Sequence, residues 1–196
     1  AKYLDIEPEL VLPSSTGLVG VELPMALIRS GVGKVQLSAD GGHAMARAIR
    51  TTDTRSKEFA VSFQVAGNSY VLGGIAKGSG MVHPNMATML AFLATDAPVE
   101  QQFLQEALSK PVDSSFNMIT IDGDSSTNDT VLLLANGAVK GAVIEGGSEE
   151  AALFQEALTQ LCVCLAKEVV RDGEGASKLF EVTVQGALSD EDARMA

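Results

Sequence analysis

The sequence predicts an α+β fold built in layers. Three observations carry that expectation. Two apolar runs, 59–66 and 69–76, flank Gly67-Asn68, a pair suited to a tight hairpin turn. The run from Thr88 to Ala94 is apolar on both alternating faces after its first residue and stops at Asp96-Ala97-Pro98, the pattern of a short strand covered on both sides. A long amphipathic stretch from Ser148 to Arg171 carries a single apolar stripe. Strands and helices alternate irregularly with hairpins and no internal repeat intervenes, which favours layered α+β over a doubly wound parallel sheet.

The elements follow in order. Leu10-Val11-Leu12 reads as a short strand leading into Pro13-Ser14-Ser15-Thr16-Gly17. A helix starts at Pro24, where proline is tolerated, and ends at Gly31 or Gly33. A second helix is expected from Ser38 as N-cap through Ala44, Met45, Ala48 and Ile49. The polar stretch 51–57 is a loop, and the hairpin 59–76 feeds the glycine-rich segment 77–87. Val99 to Lys110 reads as one amphipathic helix, with Phe103, Leu104, Ala107 and Leu108 on one side. Strands are expected at 116–121, 130–135 and 142–144. Ser148 caps the longest helix, with Glu149 and Glu150 in the first turn, where the helix dipole favours them. Leu179 to Gln185 is read as the last strand.

Composition excludes several function classes. The chain has 196 residues, 46% of them apolar, so a sizeable core is possible. Lys and Arg number 14 against 25 Asp and Glu, a formal charge of -11. Such a chain lacks the basic footprint of a nucleic-acid binder and is not drawn to anionic membrane surfaces. No apolar run approaches the length of a membrane span. Cys162 and Cys164 lie two apart in a helical pattern and point to different sides. They read as free thiols, which fits a reducing, cytoplasmic setting.

The chemistry-bearing residues cluster around Lys77 to Thr88. Thr88 stands at the mouth of a buried strand, beside glycines that let backbone approach closely. Most threonines in such places simply pack as β-branched residues. As a nucleophile, Thr88 needs a base. His43 and His83 are candidates, though no spacing spells out a His/Asp arrangement, and His83 reads better as loop filler. The alternative base is the α-amino group of Thr88 itself, which exists only if the Ala87–Thr88 bond is cut. Lys77 is an ordinary loop lysine in the bland reading. In the functional one it is a cation for a substrate carboxylate. The glycines around it fail the spacing of a phosphate-binding loop. Asp122-x-Asp124-x-Ser126-x-Asn128 superficially suggests calcium, but Thr127 stands where that loop needs glycine and Leu133 where it needs the closing glutamate. It reads as a turn whose side chains satisfy their own backbone, and no metal is expected.

Four segments together resemble the ornithine acetyltransferases, the bifunctional glutamate N-acetyltransferases of arginine biosynthesis. They are Ser15 to Gly20, Thr51 to Thr54, Lys77 to Leu90 and Asp122 to Thr130, in that family's order. The resemblance implies a four-layer α/β/β/α sandwich. It implies self-cleavage between Ala87 and Thr88, after which Thr88 takes an acetyl group from N-acetylornithine and passes it to glutamate. Thr16 and Gly17 would then form the oxyanion hole, and Thr51, Lys77, Thr88 and Glu174 the substrate site. No cofactor is implied, and acetyl-CoA as a second donor stays open. The two cleavage fragments would associate as a heterotetramer. The family's chains extend beyond both ends, so 1–196 reads as one incomplete, interior segment. Two other readings remain at this stage: an N-terminal-nucleophile amidohydrolase or aminopeptidase, with water as acceptor, and an incomplete segment without turnover.

Overall fold

The computed structural model describes residues 1–83 and 89–195. Its elements begin with a 3-10 turn at Pro8–Leu10, followed by α1 (Met25–Val32) and α2 (Gly41–Ala48). Strands β1 (Lys57–Val65), β2 (Asn68–Lys77) and β3 (Leu90–Thr95) come next. Then come α3 (Gln101–Ala107), α4 (Ser109–Asp113), a 3-10 turn at Phe116–Met118, β4 (Thr130–Ala135), α5 (Glu149–Arg171) and α6 (Asp190–Met195). The chain is α+β, as expected. Of the four expected layers, the described residues form one four-stranded sheet and the helix packed on it.

Sheet order follows chain order, β1-β2-β3-β4, with the first two pairings antiparallel and β3–β4 parallel. The β1–β2 hairpin closes one residue earlier than the sequence suggests. Val65 pairs with Asn68, so the turn is Ala66-Gly67, with φ of 49° and 82°. Both values are positive, as a type I′ turn requires to match strand twist.

Helix α5 covers β1 and β2 with Leu158, Leu161, Leu165 and Val169, all buried. Its start is as predicted: Ser148 Oγ accepts from the Ala151 amide at 3.0 Å. Phe154 sits between Phe63 and Phe103, with ring centroids 5.8 and 5.9 Å away and both pairs near edge-to-face. Gly74 lets the helix settle closely. A Cβ there would lie 2.6 Å from Leu93 Cδ2 and 2.9 Å from Leu165 Cδ1. Cys162 is buried in this interface and Cys164 half-buried, both free. Burial pushes the Cys162 thiol up to about 12, against a weaker opposing bond from Ser115, so it stays protonated.

Several expectations change. The helix expected over 99–110 starts at Gln101 and divides at Leu108. Pro111 has no N–H to give the Ala107 carbonyl, and Gln155 Nε2 from α5 donates to that carbonyl instead, at 2.7 Å. Residues 116–121 form a 3-10 turn and then an extended segment, because Met118 N–H turns back to Ser115 O at 2.9 Å. Ile144 makes only an isolated bridge to Val99. The second helix begins at Gly41 with Asp40 at the N-cap position, and Ser38 meets it only through its carbonyl, which accepts from the Gly41 amide at 3.1 Å, not through a capping side chain. Leu10-Val11-Leu12 is not a strand. Residues 179–185 pair with no described strand and leave Phe180 and Val182 more than four-fifths exposed.

Phe154→Ala should lower stability by about 3–5 kcal/mol, since it empties the centre of the helix–sheet interface. Urea unfolding should show a lower midpoint with an unchanged slope.

Candidate active site

Lys77 ends β2 opposite Leu90, the first residue of β3. The chain thus leaves β2 and enters β3 at the same end of the two central strands. Thr88 and Ala87 lie outside the described residues, as do Pro84 to Met86.

The Lys77 side chain is almost fully buried, and its Nζ donates to Thr16 Oγ1 at 3.2 Å. Burial pulls the ammonium pKa down. The nearby carboxylates of Asp53 and Asp129 oppose that, and Lys57 adds to it. The segment around Thr16 is tied down separately: Asn128 Nδ2 donates to Ser15 O at 2.6 Å. Gly17 stands open, with Leu23 in ordinary contact distance of a Cβ built there.

Behind Lys77 lies a buried charge cluster. Lys57 Nζ donates to Asp53 Oδ1 at 2.5 Å and to Asp172 Oδ2 at 2.6 Å. Asp53 also accepts from the Gly78 amide at 2.8 Å and the Thr51 amide at 3.1 Å. Asp172 accepts from the amide and hydroxyl of Thr54. Burial alone would raise both carboxyls. For Asp53 the Gly78 amide and Lys57 prevail, and for Asp172 Lys57 and Thr54 prevail, so both stay below the usual carboxylate range.

The loop after Lys77 is held from three further directions. Thr52 and Ser79 share a hydroxyl hydrogen bond of 2.7 Å, and the Glu174 amide donates to Ser79 O at 2.6 Å. The Glu174 carboxylate rests on Gly80, where a Cβ would lie 2.8–3.0 Å from its carboxyl atoms. A side chain at this position would displace that carboxylate from its seat on the loop. Asp122 accepts from the Met81 and Val82 amides at 2.5 and 3.0 Å. Met81 has a φ of 54°, a conformation costly for a side-chain-bearing residue and held here by that carboxylate. Burial works to raise the Asp122 carboxyl, but the Met81, Val82 and Asp124 amides hold it low. On the far side of the connection, Asp129 Oδ1 accepts from the Met89 amide at 2.7 Å.

The fold thus brings Thr16, Lys77, Ser79 and Glu174 to one loop, although Glu174 follows the long helix and Thr16 precedes every strand. Thr51 contributes through its amide and keeps an exposed side chain. His83 is exposed and meets Thr120 Oγ1 at 3.2 Å, a second partner for the loop rather than a base aligned by a carboxylate. The Asp122–Thr130 turn corrects the sequence reading. Asp122, Asn128 and Asp129 spend their acceptors and donors on the loop and on the Ser15 segment, as well as on their own backbone.

A sequence model described as the ArgJ family matches residues 1–196. The chain belongs to the ArgJ family. Among curated ArgJ relatives, the arginine biosynthesis bifunctional protein ArgJ of Dehalococcoides mccartyi strain CBDB1 is 51% identical over 195 residues, covering 100% of this chain and 48% of that protein. The protein of the same name from Bacillus subtilis strain 168 is 47% identical, again over 100% of this chain and 48% of the relative. The chain spans about half the length of the curated ArgJ relatives it matches. The crystal structure of ArgJ from Bacillus halodurans superposes on 53% of this chain and 49% of its own, with a TM-score of 0.51 and 45% identity.

Lys57→Met should destabilise by about 3–5 kcal/mol, because it leaves two buried carboxylates without their cation. The pH dependence has a defined sign. Asp53, Asp122 and Asp172 are held low in the folded state, so their contribution is present above the unfolded value of about 4 and is lost as pH falls below it. Thermal unfolding between pH 3 and 7 should show that acid-side loss in the native chain and a smaller one in Lys57→Met.

Proposed function

We propose that this chain carries the acyl-transfer centre of an acetyltransferase in arginine biosynthesis. It moves an acetyl group from N-acetylornithine to glutamate through an acetyl-threonine intermediate on Thr88. The observation that carries this reading is the meeting of Thr16, Lys77 and Glu174 at the loop that runs into Ala87-Thr88. Membership of the ArgJ family supports the pathway.

In this reading the Thr88 hydroxyl first attacks the Ala87 carbonyl within the precursor. The peptide C–N bond breaks, an ester forms, and water hydrolyses it to free residues 1–87 and a new N-terminal Thr88. The α-amino group released has a pKa of about 7.7–8.0, so a useful fraction is neutral near pH 7 and can take the hydroxyl proton. In transfer, Thr88 Oγ attacks the acetyl carbonyl of N-acetylornithine, ornithine leaves with a proton on its α-nitrogen, and the glutamate amine then attacks the acetyl ester. Each step passes through an anionic tetrahedral oxygen. Thr16 and Gly17 stand as its donors.

Lys77 is the partner for the α-carboxylate that ornithine and glutamate share. Its burial weakens water's competition for that contact. Burial, the larger effect, lowers the ammonium pKa, and the flanking carboxylates of Asp53 and Asp129 oppose that lowering. Glu174 is the partner for the α-ammonium of the acceptor, and Thr51 lines the same site. Acetyl-CoA serves as a second acetyl donor, which fits the word bifunctional in the relatives' names, and no cofactor takes part. The two fragments remain together as a heterotetramer in the cytoplasm.

Intact mass under denaturing conditions should show the two fragments, 1–87 and 88–196. A chain that stays whole after prolonged incubation at neutral pH would contradict self-processing. Thr16→Ala should slow cleavage and transfer together, by roughly a hundredfold if one oxyanion donor is lost. Unaltered rates in both would remove Thr16 from the chemistry. Lys77→Met, tested in a chain that includes the family's second half, should weaken donor and acceptor alike by about tenfold to a hundredfold. A loss confined to the donor would exclude a shared carboxylate anchor.

A further inference from the structure

We propose that Asp129 is a positioning residue for the cleavage and transfer chemistry: its carboxylate pins the backbone of Met89, one peptide beyond Thr88, and supplies a counter-charge to Lys77. The inference deepens the function proposed above and rests on it.

Three features of the geometry support it. Met89 is held through both of its backbone polar groups. Its amide donates to Asp129 Oδ1 at 2.7 Å, and its carbonyl accepts from the Thr130 amide at 3.1 Å. The second bond continues the parallel β3–β4 register, in which Leu90 pairs with Thr130. The first has no equivalent in a ladder, because it takes a side chain to make it. The start of β3 is therefore fixed by two consecutive residues of the β4 strand entrance.

Asp129 also lies near Lys77 without being sealed behind it. It is half-buried and lines a cavity of about 490 Å³ together with His83, Met89, Asp113, Phe116 and Val131. The charged and titratable groups around it are thus Lys77 from β2, His83 from the following loop and Asp113 from α4, with Asp53 and Lys57 behind Lys77.

Burial pushes the Asp129 carboxyl up to about 6, and the Met89 amide and Lys77 offset only part of that. Its behaviour differs from that of Asp53, Asp122 and Asp172, which are held low. A carboxyl raised on folding makes the folded state bind a proton more readily than the unfolded state, whose value is near 4. Between pH 6 and 4 this group therefore adds stability as pH falls. Its ionised form at neutral pH costs the fold stability. The same protonation removes the counter-charge of Lys77 and weakens the acceptor that holds Met89. Chemistry at the neighbouring peptide should therefore fail as pH falls through about 6, while the fold does not.

The test compares the native chain with Asp129→Asn and Asp129→Ala by the rate of Ala87–Thr88 cleavage and by thermal unfolding, from pH 5 to 8. Asp129→Asn should cleave at least tenfold more slowly at pH 7, should lose the acid limb near pH 6, and should be no less stable than the native chain at pH 7. Asp129→Ala should cleave at least as slowly as Asp129→Asn. Native rates in both variants, or an acid limb unchanged in Asp129→Asn, would overturn the positioning role and leave the proposed function standing. A native chain that never cleaves would overturn that function, and this inference with it. A second measurement reads the contact itself. In a Thr88→Ala background the Met89 amide resonance should titrate with a midpoint near 6, and Asp129→Asn should abolish that titration. A Met89 amide indifferent to pH would overturn the grip.

Discussion

The buried ammonium of Lys57 is the constraint on which the site depends. It sits between Asp53 and Asp172 with all three side chains almost wholly removed from water. Such a cluster adds little net stability, since desolvation consumes most of the Coulombic gain. Its effect is to fix relative position. Lys57 opens β1, Asp172 follows α5 directly, and Asp53 accepts the Gly78 amide just past β2. Three segments far apart in sequence are thereby held in register at one end of the sheet. Thr51 to Thr54 joins them through the Thr51 and Thr54 amides.

A second regularity follows. Gly78 to His83, and Met89 on the far side, lie outside the β2–β3 ladder, so their amides need other acceptors. Three aspartates provide them: Asp53 for Gly78, Asp122 for Met81 and Val82, and Asp129 for Met89. Side-chain acceptors can hold a loop in a shape that no ladder imposes. That shape includes the left-handed Met81 and the close seat of Glu174 on Gly80. Part of the chain's acidity thus serves as loop scaffolding, placed around a buried lysine.

The sequence made the framework legible where periodicity and capping agreed. Ser148 with an apolar stripe marks α5, and β4 and the β1–β2 hairpin stand within a residue or two of their expected positions. The turn slipped by one residue because Gly67 supplies its second positive φ, with Ala66 taking the first. Pro111 was visible, yet its effect on Ala107 depends on Gln155, which no local pattern reveals. Residues 179–185 alternate like a strand, but alternation requires a partner, and the described residues offer none. In the site, Thr16 and Lys77 were legible as members of motifs and Glu174 only through the family resemblance, and the three converge on one loop. The aspartates were not legible, because Asp122 and Asp129 looked like turn residues and Asp53 stood beside a more conspicuous threonine. Their sequence signal was present in the same motifs. Their partners, 25 to 41 residues away, were not.

Native-state hydrogen exchange tests the central claim most directly. Lys57→Met should release the Gly78 and Thr54 amides together, each losing more protection than amides in the middle of α5, such as those of Leu158 and Leu161. That result would show that a single buried cation holds the loop before the candidate nucleophile and the loop of Thr51 to Thr54 as one unit. If Gly78 kept its native protection while Thr54 lost its own, or if all four amides fell equally, the cluster would be a packing feature and the site would owe its shape to something else.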